Sequence, residues 1–132
     1  MSIRYLEVSI VTNDDPAPDA FLAACPSRHV MARLGEKWTM LALVALENGS
    51  VRFGELHRKI EGVSQKMLTQ TLRNLEQDGM VTREVFNEMP LRVEYALTPL
   101  GSGVLPLIKA IKRWSEEHLE EILAHRKNSE AT

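Results

Sequence analysis

"FGELHRKIEGVSQKMLTQTLRNLEQDG", residues 53–79, contains a short amphipathic segment, a tight turn and a longer amphipathic segment. Phe53, Leu56 and Ile60 recur at helical spacing and predict a short helix over Phe53–Ile60. Glu61-Gly62-Val63 reads as a turn, and Ser64 offers a hydroxyl to cap the first free N–H groups of the next helix. From there a 3.6-residue period sorts the side chains into two faces. Met67, Leu68, Thr71, Leu72 and Leu75 fall on one, and Lys66, Thr69, Gln70, Arg73 and Gln77 on the other, with Gly79 as the stop. Length, turn and amphipathicity are those of a helix-turn-helix.

The charges of the second helix sit at the less favourable ends. Lys66 lies in its first turn, where the helix dipole favours an acid, and Glu76 and Asp78 lie near its end, where a base is favoured. The exposed face is rich in amides and hydroxyls instead of the usual Glu/Lys mixture. A helix that enters the major groove needs such a face. Gln pairs with adenine, Arg with guanine, and Ser or Thr adapts to either. Ser64, Gln65, Lys66, Thr69, Gln70 and Arg73 supply those groups, with lysine and free backbone N–H groups at the end nearest phosphate and acids at the end away from it. A solvated surface helix and a protein-interaction module are the other readings of the same face.

Working outward, Pro26 suits the first turn of a helix that runs through His29–Leu34 to Gly35, and Lys37–Glu47 is a second helix, apolar nearly all round and so expected in the core. Asn48-Gly49 ends it. Beyond Gly79, Val81–Phe86 and Leu91–Leu97 read as strands around the turn Asn87-Glu88-Met89-Pro90. The second strand alternates, with Leu91, Val93, Tyr95 and Leu97 inward and Arg92 and Glu94 outward. A hairpin directly after a helix-turn-helix is a wing, and Arg92 near its tip is a candidate contact to a neighbouring minor groove or phosphate. Arg52 and His57 are weaker candidates for backbone contacts.

Thr98-Pro99 starts a last, long helix whose apolar stripe includes Ile108, Ile111, Trp114, Leu119 and Ile122, with Gly101, Gly103 and Pro106 weakening or bending its start. The stripe is wider than one small domain needs, which predicts a partner helix and a homodimer joined through these residues. The expected fold is mainly α with a small β-hairpin wing: a winged helix-turn-helix dimerising through its last helix. Residues 1–24 form an N-terminal arm, 25–126 the winged domain and 127–132 a flexible tail. Within the arm, Ile3–Val11 fits a short strand or a helix, Asn13–Pro18 is a break, and Asp19 is placed to cap a short turn, AFLAA.

Composition limits the function. The chain has 132 residues, 44% hydrophobic and 26% charged, with a formal net charge of −2, so bulk charge does not drive indiscriminate nucleic-acid binding. No apolar run is long enough to span a membrane, and the N-terminus lacks the parts of a signal peptide, so a cytoplasmic location is expected. No nucleophile–base pair or phosphate loop is present, and the expectation is a protein that is not an enzyme and carries no cofactor. His118, Glu121 and His125 share a helix face and read as a solvated polar surface instead of a metal site. Trp38 and Trp114 read as core or interface anchors.

Three segments carry a resemblance: "CPSRHVMARLGEKWTMLALVAL" (25–46), "RFGELHRKIEGVSQKMLTQTLRNLEQDGMVTREV" (52–85) and "PLRVEYALTPLG" (90–101). Gly35-Glu36-Lys37-Trp38, Ser64-Gln65-Lys66-Met67-Leu68 and Val93-Glu94-Tyr95 through Leu97-Thr98 fall in order. Over about Cys25–Trp114 the chain resembles the HxlR-type bacterial transcriptional regulators, relatives of the MarR group. The resemblance implies a homodimeric repressor or activator on double-stranded operator DNA, dimerising through N- and C-terminal helices. In the wider group it also implies an apolar pocket for a small-molecule effector between dimer helix and DNA-binding core. The arm is longer than the resemblance leads one to expect.

Cys25, the lone cysteine, precedes Pro26 at a helix N-terminus, where the dipole and a cation such as Arg28 can lower a thiol pKa. Similarity to family members with a cysteine before that proline implies sensing of oxidants or electrophiles such as quinones. A buried, inert cysteine is the alternative.

Overall fold

The computed structural model describes residues 17–130, so the expectations for Ile3–Val11 and for most of the Asn13–Pro18 break lie outside the described residues. In chain order the elements are α1 (Ser27–Leu34), α2 (Lys37–Ala45), β1 (Val51–Arg52), α3 (Phe53–Lys59), α4 (Gln65–Gln77), β2 (Val81–Phe86), β3 (Arg92–Leu97), α5 (Pro99–Glu117) and α6 (Leu119–Glu130). The result is a mainly helical winged helix-turn-helix with a small three-stranded antiparallel sheet, ordered β1-β3-β2.

The core gathers one face from each element. Ala42, Leu43 and Leu46 of the α2 segment meet Leu56 of α3, Leu68, Leu72 and Leu75 of α4, Val81 and Tyr95 of the hairpin, and Ile108 of α5. Burying a leucine is worth roughly 1.5–3 kcal/mol, whereas a charge at the wrong helix end costs about 0.3–1 kcal/mol. The three leucines of α4 therefore hold the helix in place whatever its charges do. Met67, at the edge of the apolar arc, departs from expectation and is 46% exposed.

The ends of α4 are closed by distinct devices. The Ser64 Oγ accepts the Met67 N–H at 3.0 Å, the cap expected of it. At the other end the Gly79 N–H bonds the Glu76 carbonyl at 3.0 Å and the Met80 N–H bonds that of Leu75 at 2.9 Å, with Gly79 at φ +74°. This is a Schellman stop, and the positive φ is why glycine stands there. Asp78 is not left facing the negative helix end alone. The Arg33 Nη1 of α1 lies 2.8 Å from its carboxylate and donates to the Asn74 carbonyl at 3.3 Å. The cation that α4 lacks comes from another helix.

The chain then turns from α4 into the wing and back into α5 through one tight joint. The Thr98 Oγ accepts the Gly101 N–H at 3.1 Å and donates to the Gly79 carbonyl at 2.6 Å, and the Thr98 N–H bonds the Met80 carbonyl at 3.0 Å. A Cβ on Gly101 would stand 2.1 Å from the Met80 carbonyl oxygen, so this glycine is required for close approach.

Three expectations are corrected. The strand β1 was not foreseen; two residues carry no periodicity, and β1 exists because Val51 and Arg52 pair with Tyr95 and Glu94. The long last helix is two, broken at His118 (φ −109°, ψ 12°). There both the backbone N–H and the ring Nδ1 engage the Trp114 carbonyl at 3.0 Å, and the ring stacks on Trp114 at 4.5 Å. Residues 127–130, expected in a flexible tail, continue α6. Among the described residues no helix is long and apolar enough to cross a membrane.

Candidate nucleic-acid interface

Because Leu68, Thr71, Leu72 and Leu75 face inward, the helical period turns Gln65, Lys66, Thr69, Gln70 and Arg73 outward together. These five line a shallow depression of about 500 Å³. The Gln70 Nε2 donates to the Asn74 Oδ1 at 3.0 Å, which fixes the plane of its amide. Lys66 and Arg73 have no ion-pair partner among the described residues, so their charge is available to a ligand. Ser64 belongs to the same end of the helix but spends its acceptor on the cap.

Beside this face lies a groove of about 660 Å³. Gln65, Thr69, Arg73 and Glu76 of α4 form one wall, and Arg83, Val93 and Tyr95 of the hairpin the other, with Pro90 and Leu91 toward the wing tip. Leu91, expected inward, is 62% exposed, because the alternation continues past the edge of the core. Arg92 does not reach out from the tip as expected. Its guanidinium sits 3.9 Å over the Phe86 ring and 3.4 and 3.5 Å from the carboxylates of Glu88 and Glu94. Cross-strand pairing explains this, since Phe86 is its register partner on β2. His57 also proves local: its Nε2 lies 3.0 Å from the Val63 carbonyl and its ring stacks on Phe53, fastening the turn before α4. Arg83 went unnoticed in the sequence reading. Counting by two from buried Val81 would have found it.

Cys25 lies away from this face, before α1, and is half-buried. Its Sγ is 3.0 Å from the Ser27 Oγ and accepts the Asp19 N–H at 3.3 Å. The Ser27 hydroxyl and backbone N–H, followed by the Asp19 N–H, hold the thiol below the ordinary cysteine range, against partial desolvation and the Asp19 carboxylate. Arg28 is not the cause that the sequence suggested. Its guanidinium donates to the carbonyls of Ala20 and Phe21 at 2.8 and 2.9 Å and ties down the preceding turn, which the Asp19 carboxylate caps through the Phe21 N–H.

Of the residues expected at a dimer interface, Ile111, Trp114 and Leu119 are exposed, with Trp114 at 55%, and Ile122 is partly so. Ile108 is corrected: it is 3% exposed and belongs to the subunit's own core, because it lies on the side of α5 that meets α2. Leu107 and Leu123 are exposed in its stead, as are Val30 and Met31 of α1.

A three-helix core that presents the second helix of a helix-turn-helix, flanked by a hairpin, defines a winged helix-turn-helix of the kind that reads DNA. Comparison with known proteins makes the class specific. Residues 33–123 match the HxlR-like helix-turn-helix family. The uncharacterized HTH-type transcriptional regulator YtfH of Escherichia coli is 48% identical over 106 residues, 80% of this chain and 84% of that protein. Among solved structures, the regulator ytfH from Salmonella typhimurium superposes with a TM-score of 0.80 at 44% identity, over 84% of this chain and 99% of that one. The redox regulator HypR in its oxidised form does so with a TM-score of 0.65 at 38% identity, over 70% and 96%. The chain belongs to the HxlR family of helix-turn-helix transcriptional regulators, relatives of MarR-family structures, and is not an enzyme.

Proposed function

We propose that the protein binds a pseudo-palindromic operator as a homodimer, with α4 of each protomer in the major groove. The observation that carries this reading is the open face of α4, where Gln65, Lys66, Thr69, Gln70 and Arg73 stand together, with two cations that have no ion-pair partner among the described residues. Gln70 reads base edges, Lys66, Arg73 and the first N–H groups of α4 meet phosphate, and Ser64 holds that end in shape. Ile111, Trp114, Leu119 and Ile122, with the exposed face of α1, cover one another between protomers and set two recognition helices about one DNA turn apart.

Cys25 is the sensing group in this reading. Its lowered thiol pKa and the likeness to the redox regulator HypR support a thiol switch. An electrophile such as a quinone alkylates the thiolate. Alternatively, two Cys25 thiols from two protomers give up two protons and two electrons to an oxidant such as diamide and form a disulfide.

Fluorescence anisotropy on the DNA upstream of the protein's own gene tests this, with a scrambled duplex of equal length, a salt series and added diamide. Selective binding that weakens with salt, and that Gln70→Ala with Arg73→Ala abolishes in a folded protein, is the expected result. Equal affinity for both duplexes, repeated across genomic fragments, would move the reading to a protein-interaction module. If Cys25→Ser responds to diamide and quinones as the wild type does, the switch is elsewhere.

A further inference from the structure

We propose that Arg83 of β2 and Arg73 of α4 clamp the sugar–phosphate backbone of one DNA strand in the groove between recognition helix and wing, while Arg92 braces the wing without touching DNA. The inference rests on the DNA-binding reading above and assigns the wing's part in it. The argument begins with strand period. Val81, Arg83 and Val85 share one face of β2, opposite Leu97, Tyr95 and Val93 of β3. Val81 and Tyr95 are buried, so this is the face turned toward the helices. Arg83 therefore places a guanidinium in an apolar row on the inner side of the hairpin, at the point where the row leaves the core and becomes the groove wall.

A cation so placed needs an anion, and Arg83 has no ion-pair partner among the described residues. Arg73 faces it from the other wall in the same condition. Of the groove's acids, Glu88 is held by Arg92 and Glu76 stands about one turn beyond Arg73, so the two guanidiniums, unpaired among the described residues and on opposite walls of an open groove beside a recognition helix, match a phosphodiester strand lying between them. Arg92 also borders the groove, but its guanidinium lies over its cross-strand partner Phe86 and its charge is already met by Glu88 and Glu94. Pulling it out to a phosphate would break the stack and both ion pairs.

The test is a salt titration of anisotropy with the full chain, on its upstream duplex and on the scrambled one. Arg83→Ala removes one phosphate contact from each protomer, so it flattens the slope of log K against log salt by about 1.8 and weakens both duplexes by the same factor, roughly ten- to a hundredfold near physiological salt. Arg83→Lys restores the slope. Arg92→Met keeps a flexible side chain over Phe86 without the charge, and leaves the slope within about 0.3 of wild type. An unchanged slope in Arg83→Ala, on a wild type that binds selectively, overturns the clamp and spares the DNA reading. A loss near 1.8 in Arg92→Met overturns the brace. Salt-independent or undetectable wild-type binding overturns both the clamp and the reading beneath it.

Discussion

Replacing Gly101 and Gly103 by alanine, one at a time, should shift stability in opposite directions although they lie two residues apart in one helix. Alanine is about 1 kcal/mol better than glycine in a helix interior, so propensity alone favours both changes. Around Gly103 nothing lies within 4 Å of the new methyl, and that gain is realised in full. At Gly101 the methyl would stand 2.1 Å from the Met80 carbonyl oxygen and 3.3 Å from the Leu97 Cδ2. The oxygen is backbone, held by the Thr98 N–H, and cannot step aside without moving the joint between α4 and α5. Overpacking of this kind costs about 1–3 kcal/mol, and so short a contact belongs at the upper end, which leaves a net loss of about 2 kcal/mol. With a urea m-value of about 1.5 kcal/mol/M, the midpoint falls by about 1.3 M in Gly101→Ala and rises by about 0.7 M in Gly103→Ala. The assay is urea unfolding followed by circular dichroism, at matched protein concentration because association would raise apparent stability. Two variants that move the same way would refute the claim that the joint depends on an absent Cβ.

Ser64→Ala removes the cap of α4 and lowers stability by about 1 kcal/mol in the same assay, with a weaker operator complex because the end that meets phosphate frays. Ile111→Asp places a carboxylate in the exposed apolar face of α5 and should convert the proposed dimer to monomer in sedimentation, leaving the far-ultraviolet spectrum intact. The pH profile of iodoacetamide labelling at Cys25 should have its midpoint below the free-cysteine value of about 8.5, since the folded thiolate is favoured. Ser27→Ala removes the largest cause of that shift, so the midpoint moves up and labelling at neutral pH slows; no change would remove Ser27 from the account.

The parts of the fold that could be read in advance are those whose cause is local. The Ser64 cap, the amphipathic period of α4, the Gly79 stop and both strands of the hairpin each depend on neighbours a few residues away. What escaped depends on distant partners. The strand β1 is called into being by β3, the break at His118 carries neither Gly nor Pro, and the fate of Arg92 is decided by a ring across the strand pair. The candidate site divides the same way. Its reading helix was legible residue by residue because helical phase alone turns Gln65, Thr69 and Arg73 outward. The opposite wall was not, because a groove has two sides and only the fold brings Arg83 to face Arg73. The misplaced acids of α4 had two explanations in the end. Glu76 stands in the groove wall, whereas Asp78 answers to Arg33.

That last contact makes α1 a short strut with chemistry at one end and mechanics at the other. Eight residues of helix span about 12 Å. The thiol of Cys25 sits just before its first turn, and Arg33 in its last turn grips the Asn74 carbonyl and the Asp78 carboxylate at the end of α4. A twist of α1 caused by a bulky adduct or a cross-link at the thiol would be delivered as a tug on the trailing end of the reading helix, tilting its leading end against the bases. In the switch proposed above, this one arginine sets the gearing between the chemistry of a sulfur atom and how squarely α4 sits on DNA.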